Sequence, residues 1–207
     1  MPGIASRSIR SPGSVFTSGV ALLSLLGCLV LFGANAQAQR LDSSFEAANT
    51  SSPQDTLRSF IDACNELHQL VTSTTLFDRH DPEHLAIAER ALDCIDDSEI
   101  PAFSRVERAG EVVACLKEIL DRVEMPPWDE IPDAEAIIAA DGGKGLEHYR
   151  IPGTRITISK VDEGPRRHEF LFSVGTVDRA PSYYRSIQFK PYRTDGPAIS
   201  EEFYQWY

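Results

Sequence analysis

Two histidines four residues apart, His80 and His84, are the first place to look for chemistry in this chain. On a continuous helix that spacing turns both imidazoles to one face, as a metal site needs, and Asp78, Asp81 and Glu83 stand beside them. Asp81-Pro82 is a helix-start signal, however, which leaves His80 outside the helix and the pair without a third, distant ligand. A solvated helix start accounts for the same residues. Asp141-Gly142-Gly143-Lys144-Gly145 is rich in glycine but lacks the P-loop spacing and the Ser or Thr after its lysine, so it reads as a turn. Nucleophilic catalysis needs a serine or cysteine with a positioned base and an oxyanion site. The chain has no Gly-x-Ser-x-Gly elbow, and none of its five histidines lies in a recognisable catalytic setting. These residues point to a protein that is not an enzyme and carries no cofactor or metal.

What remains is chemistry of contact. Arg166-Arg167-His168 is a basic spot on an acidic chain, and the C-terminus is aromatic, with Phe203, Tyr204, Trp206 and Tyr207. Arg166, Arg167, Tyr204 and Trp206 are the candidate contacts for a lipid headgroup or for an acidic patch of a partner. The same residues also suit an exposed turn protected against edge pairing and a closing segment packed on the domain. Cys64, Cys94 and Cys115 fall in three different predicted helices and show no metal-site spacing. Two of them bridge if their helices pack closely; otherwise each serves as a small buried hydrophobe.

Charge and hydropathy set the surroundings of those residues. Asp and Glu number 31 against 20 Lys and Arg, for a formal net charge of −11. Removing residues 1–38 takes away Arg7 and Arg10 and no acid, which leaves about −13. Such a surface repels phosphate backbones, so nucleic acid is excluded as a partner. The one long apolar run, from Val15 to Ala36, follows those two arginines and ends at Ala34-Asn35-Ala36 or Ala36-Gln37-Ala38. Those are the parts of a secretory signal peptide, and they predict an exported domain, periplasmic or anchored to the outer face of the inner membrane. An uncleaved anchor is the first alternative. Lipidation at Cys28, within Leu25-Leu26-Gly27-Cys28, is the second, although the apolar run continues through Leu29-Val30-Leu31-Phe32. The expected divisions are a leader at 1–38, a flexible tether at 39–51, an extracytoplasmic domain at 52–190 and an aromatic tail at 191–207.

The domain must supply the elements that position these residues. Ser52-Pro53-Gln54-Asp55 opens a helix with a cap and a proline. Leu57, Phe60, Ile61, Cys64, Leu67 and Val71 form its apolar face until the Ser-Thr run at 72–75. A second helix starts at Asp81-Pro82, with Leu85, Ala88, Leu92 and Ile95 on one face. A third starts at Ser104, where Glu107 completes a capping box, and Val106, Ala109, Val113, Leu116, Leu120 and Val123 make its stripe. Residues 126–146 read as a loop. Arg155-Ile156-Thr157-Ile158 and Phe170-Leu171-Phe172-Ser173-Val174 then read as strands joined through Asp162-Glu163-Gly164-Pro165, followed by a short helix from Ala180 to Ile187. The expected class is α+β: about three amphipathic helices in a small bundle, then a β-hairpin or small antiparallel sheet.

Four segments taken in order carry a family resemblance. They are Ser52-Pro53-Gln54-Asp55-Thr56-Leu57-Arg58-Ser59-Phe60, Ala91-Leu92-Asp93-Cys94-Ile95-Asp96-Asp97-Ser98-Glu99-Ile100-Pro101, and Leu116-Lys117-Glu118-Ile119-Leu120-Asp121-Arg122 with Asp129-Glu130-Ile131-Pro132-Asp133. The fourth runs from Gly164 and Arg166 through Phe170-Leu171-Phe172-Ser173 and Thr176-Val177 to Pro181 and Tyr183-Tyr184. Together they resemble the extracytoplasmic N-terminal region of bacterial small-conductance mechanosensitive (MscS-like) channel proteins. The resemblance spans Ser52 to Tyr184 and reaches no pore, since no apolar run after the leader is long enough to cross a bilayer. It implies a sensor or docking module whose partner is a membrane channel protein or its own membrane-embedded counterpart, and it transfers no catalytic residue. A free-standing periplasmic module that binds a small ligand between bundle and hairpin is the alternative.

Overall fold

The computed structural model describes residues 47–73, 81–139 and 145–206, all within one compact unit. The leader with Cys28, residues 39–46 of the expected tether, His80 and the glycine run at 141–144 lie outside the described residues. The architecture is α+β, with helices first and a small antiparallel sheet after them. Among the described residues no helix is long and apolar enough to cross a membrane.

Helix α1 (Pro53–Ser73) begins as its sequence dictates. The Ser52 hydroxyl oxygen accepts from the Asp55 N–H at 3.0 Å and donates to the Asp55 carboxylate at 2.6 Å. Leu57, Phe60, Ile61 and Cys64 are buried on its core face, each large apolar side chain contributing about 1.5–3 kcal/mol by leaving water. Helix α2 (Pro82–Leu92) is capped by Asp81, which accepts from the Glu83 N–H at 2.9 Å. Helix α3 (Arg105–Leu120) is entered through a 3₁₀ turn, Ala102–Ser104. That turn rules out the expected capping box: the Ser104 hydroxyl donates back to the Pro101 carbonyl at 3.4 Å and caps no helical N–H.

Helix α3 is the centre of the domain. Every residue from Val112 to Leu120 is buried, so neighbours surround the helix instead of facing one stripe. The expected stripe fails at its first residue, because Val106 lies in the exposed opening turn among Arg105, Glu107 and Arg108. The region expected as a loop contains a short helix, α4 (Ala134–Ala139).

The sheet has three strands, β1 (His148–Arg150), β2 (Thr157–Lys160) and β3 (Phe170–Phe172), in the order β1-β2-β3 and antiparallel throughout. Register pairs Tyr149 with Ile158 and Ile158 with Phe172. β2 and β3 form the expected hairpin; β1 is an additional strand whose exposed–half-buried–exposed pattern carries little periodic signal. Both edges of β3 are occupied, which removes the hazard of an open edge. β2 takes one. On the other, the Phe170 N–H donates to the Thr50 carbonyl at 2.8 Å, the Phe172 N–H to the Cys94 carbonyl at 2.9 Å, and the Asp96 N–H to the Phe172 carbonyl at 2.9 Å.

Residues 47–51 are therefore part of the fold and not of a tether. Asn49 and Ser59 exchange hydrogen bonds at 3.0 and 3.1 Å, and Thr50 is buried. The Phe60 and Phe172 rings meet edge to face at 4.9 Å, fixing α1 across the sheet. Helix α5 (Val174–Ile187), capped by Ser173, starts six residues before the expected Ala180 and packs on α3. The chain then returns along α3 to a terminal 3₁₀ turn, Phe203–Trp206, so the segment at 191–206 belongs to the domain.

Candidate functional site

Helix α2 lies along α1 and makes far less contact with α3. A groove opens between them, with the terminal 3₁₀ turn as its third wall. Leu67 and Val71 come from α1, His84, Leu85, Ala88 and Leu92 from α2, Val106, Gly110 and Val113 from α3, and Phe203 and Trp206 from the turn. Its cavity volume is about 340 Å³. Among the described residues, His84 is the one polar side chain in the lining apart from the Trp206 indole, and no carboxylate, hydroxyl or thiol lines the wall. The rim is apolar and open to solvent: Leu85 is 46% exposed, Val106 85% and Trp206 49%. Glu83 and Glu89 on α2 and Glu107 on α3 are exposed beside these residues.

The Phe203–Trp206 wall is held by charge. Lys117 is 0% exposed. Its ammonium donates to both Asp121 carboxylate oxygens, at 2.6 and 2.7 Å, and to the Ala198 carbonyl at 3.3 Å. Asp121 also accepts from the Ser200 N–H at 2.9 Å. Glu118 accepts from the Tyr204 N–H at 3.0 Å and from the Tyr192 hydroxyl at 3.1 Å, and it pairs with Arg122. The Arg122 guanidinium lies 3.8 Å from the centre of the Tyr192 ring. Arg193 closes the end of α3, its N–H donating to the Asp121 carbonyl at 2.9 Å and its Nε to the Leu120 carbonyl at 3.1 Å. Those carbonyls have no partner within the helix. Burial drags the Lys117 ammonium below its usual value, against the pull of Asp121.

The four expected contact residues are divided between two places. Arg166 and Arg167 lie in the β2–β3 connection. Arg166 is engaged within the fold: it pairs with Glu169 and donates to the Asp93 and Ile95 carbonyls at the end of α2. Arg167 is exposed. Tyr204 is half-buried, its ring 5.1 Å from that of Tyr184. Trp206 lines the groove. Cys64, Cys94 and Cys115 are free thiols in the core. Burial raises all three, Cys115 to about 12, which makes them poor nucleophiles at neutral pH. Among the described residues no group of three or more His, Cys, Asp or Glu side chains could hold a metal ion.

Sequence periodicity placed Leu85 and Val106 in the core, and so it missed the rim of the groove. The signal that marks Val106 is local: Arg105, Glu107 and Arg108 surround it, leaving no apolar neighbour within its own turn. Comparisons with protein-family models, with curated proteins and with solved structures return no match for this chain. What the arrangement can do follows from its lining: it can take up an apolar surface from water.

Proposed function

We propose that the chain is a non-catalytic, exported docking module that seats an amphipathic helix of a membrane channel protein in the groove between α2 and α3. That channel helix belongs either to a separate protein or to a membrane-embedded counterpart of this chain. The observation that carries the reading is the exposed apolar rim of Leu85, Val106 and Trp206 over a lining that is apolar among the described residues except for His84 and the Trp206 indole. Helix-in-groove recognition uses apolar anchors repeating at helical spacing, and this trough is built from such residues on two helices. The acids beside the rim and the net charge of −11 favour a helix with basic flanks and disfavour an anionic bilayer. The leader and the resemblance to the extracytoplasmic region of mechanosensitive channels support the same location and partner class.

The test is fluorescence anisotropy with a labelled helical peptide carrying Leu on one face and Lys on the other. The expected result is saturable binding that weakens at least tenfold in Leu85→Glu and Val106→Glu, with unfolding free energy unchanged. Binding indifferent to both substitutions refutes the reading. The groove volume also falls within the range of small-molecule sites, which favours an apolar small ligand as the second reading. Saturable stabilisation by a short fatty acid, with no peptide binding, would select it.

A further inference from the structure

A second cavity lies apart from the groove, at the turn between β1 and β2. Ile151-Pro152-Gly153-Thr154 forms a tight turn in which the Thr154 N–H donates to the Ile151 carbonyl at 3.2 Å, with Gly153 at φ +69°. Proline followed by a glycine of positive φ is the type II arrangement. The Thr154 hydroxyl braces it, donating to the Ile151 carbonyl at 2.8 Å and accepting from the Ile156 N–H at 3.0 Å. Ile151 and Ile156 are buried on either side, so the turn is anchored at both ends.

Over it lies a dish of about 540 Å³ lined by the turn together with Arg150, Arg155 and Tyr183, and no carboxylate among the described residues lines it. Arg150 is folded onto the turn by a hydrogen bond from its Nε to the Thr154 carbonyl at 2.8 Å, and its two terminal nitrogens have no partner among the described residues. Arg155 has no ion pair among the described residues, in a chain where acids outnumber bases 31 to 20. Elsewhere five arginines (Arg90, Arg105, Arg122, Arg166 and Arg193) are paired with carboxylates, while Arg58, Arg108, Arg167, Arg179 and Arg185, like Arg155, have no ion pair among the described residues. A Cβ added at Gly153 would meet nothing within 4 Å, so the backbone is open to approach from above.

We propose that this dish, formed by the Ile151–Ile156 turn with Arg150, Arg155 and Tyr183, binds a phosphate-bearing anion. Two guanidinium forks fit a tetrahedral oxyanion through paired N–H donors, and a doubly charged phosphate uses both. Tyr183 completes the lining and carries one further O–H donor beside its ring. The phosphate belongs either to a soluble ester or to a lipid headgroup. This site stands independently of the groove.

The test follows backbone amide resonances of the protein by NMR during titration with inorganic phosphate, at constant pH and ionic strength. Saturable shifts at Gly153, Thr154 and Arg155, weakened at least tenfold in both Arg155→Gln and Arg150→Gln, are expected. Arg155 is exposed and without an ion pair, so its variant folds normally and guards against a structural cause. Equal shifts with chloride, or shifts unchanged in Arg155→Gln, overturn the proposal. Co-sedimentation with phosphatidylglycerol vesicles but not phosphatidylcholine vesicles, lost in Arg155→Gln, identifies a headgroup as the source. Phosphate binding without vesicle binding identifies a soluble ester.

Discussion

Replacing Asp121 with asparagine removes one charge and leaves nearly the same shape. Its effect can be worked from the contacts. The Lys117 ammonium loses the one carboxylate it touches among the described residues, while remaining fully buried. Breaking a buried ion pair on one side costs about 3–5 kcal/mol, because the remaining charge has no compensation. The amide oxygen of asparagine can still accept from the Ser200 N–H, so that bond contributes little to the loss. Set against a typical domain stability of about 5–15 kcal/mol, the change is large. It should also be directional, since Asp121 and Lys117 hold the segment that carries Ser200, Phe203 and Trp206. Urea unfolding should show a midpoint shift equivalent to about 3–5 kcal/mol. Hydrogen exchange of the Ser200 and Tyr204 amides should accelerate before that of α1. Arg193, 3.6 Å from Asp121, loses its carboxylate in either case; the double variant Lys117→Met with Asp121→Leu removes the Lys117 charge as well and should be more stable than Asp121→Asn alone, even with the Ser200 N–H left short of a partner. A cost below about 1 kcal/mol for Asp121→Asn, or a double variant worse than the single one, would refute the reasoning.

Alkaline pH should unfold the protein through its thiols. Cys64, Cys94 and Cys115 are raised by burial above the ordinary 9.0, so their contribution is intact below pH 9 and is lost as pH rises beyond it. Each costs about 1.4 kcal/mol at pH 10, or about 4 kcal/mol for three, from linkage. Lys117, lowered by burial, offsets part of this below 10.5. Denaturant titrations at pH 7 and 10 measure the difference, and a triple Cys→Ala variant should lose most of it. On the acid side, burial raises Glu169, but hydrogen bonds from Arg166 and Thr50 and the Arg166 charge hold it below its usual 4.5. Its contribution is present above 4.5 and fades as pH falls below that value. Arg166→Ala should weaken this acid dependence, leaving only the Thr50 bond to favour the Glu169 carboxylate, and cost about 1–2 kcal/mol through the lost bonds to the Asp93 and Ile95 carbonyls, as chemical denaturation would show. Leu85→Glu and Val106→Glu should each change stability by less than about 0.5 kcal/mol, since both side chains already meet solvent, and circular dichroism melts would show a larger loss if either were core.

Local signals were legible wherever one residue decides the outcome. Ser52-Pro53 and Asp81-Pro82 start helices because their side chains satisfy orphan N–H groups and proline needs none. The β2–β3 hairpin follows from two apolar runs around a Gly-Pro turn. Periodicity failed in α3, where burial on all sides from Val112 to Leu120 leaves no stripe to read. It also failed at Leu85 and Val106, since an apolar residue facing a groove has the same spacing as one facing the core. The docking of residues 47–51 and of the segment at 191–206 was out of reach for a different reason. Both are held by partners distant in sequence, such as Thr50 with Phe170 and Glu118 with Tyr204, which no local window contains.

The most direct test of the docking account is photo-crosslinking in the intact cell, with the reactive group placed at Val106 or, as a control, at the equally exposed Phe189 beyond α5. Mass spectrometry then identifies the peptide attached. The account predicts adducts from Val106 alone, mapping to one amphipathic, basic-flanked helix of a membrane-embedded channel protein. Adducts that are the same from both positions, or none from Val106, would contradict it.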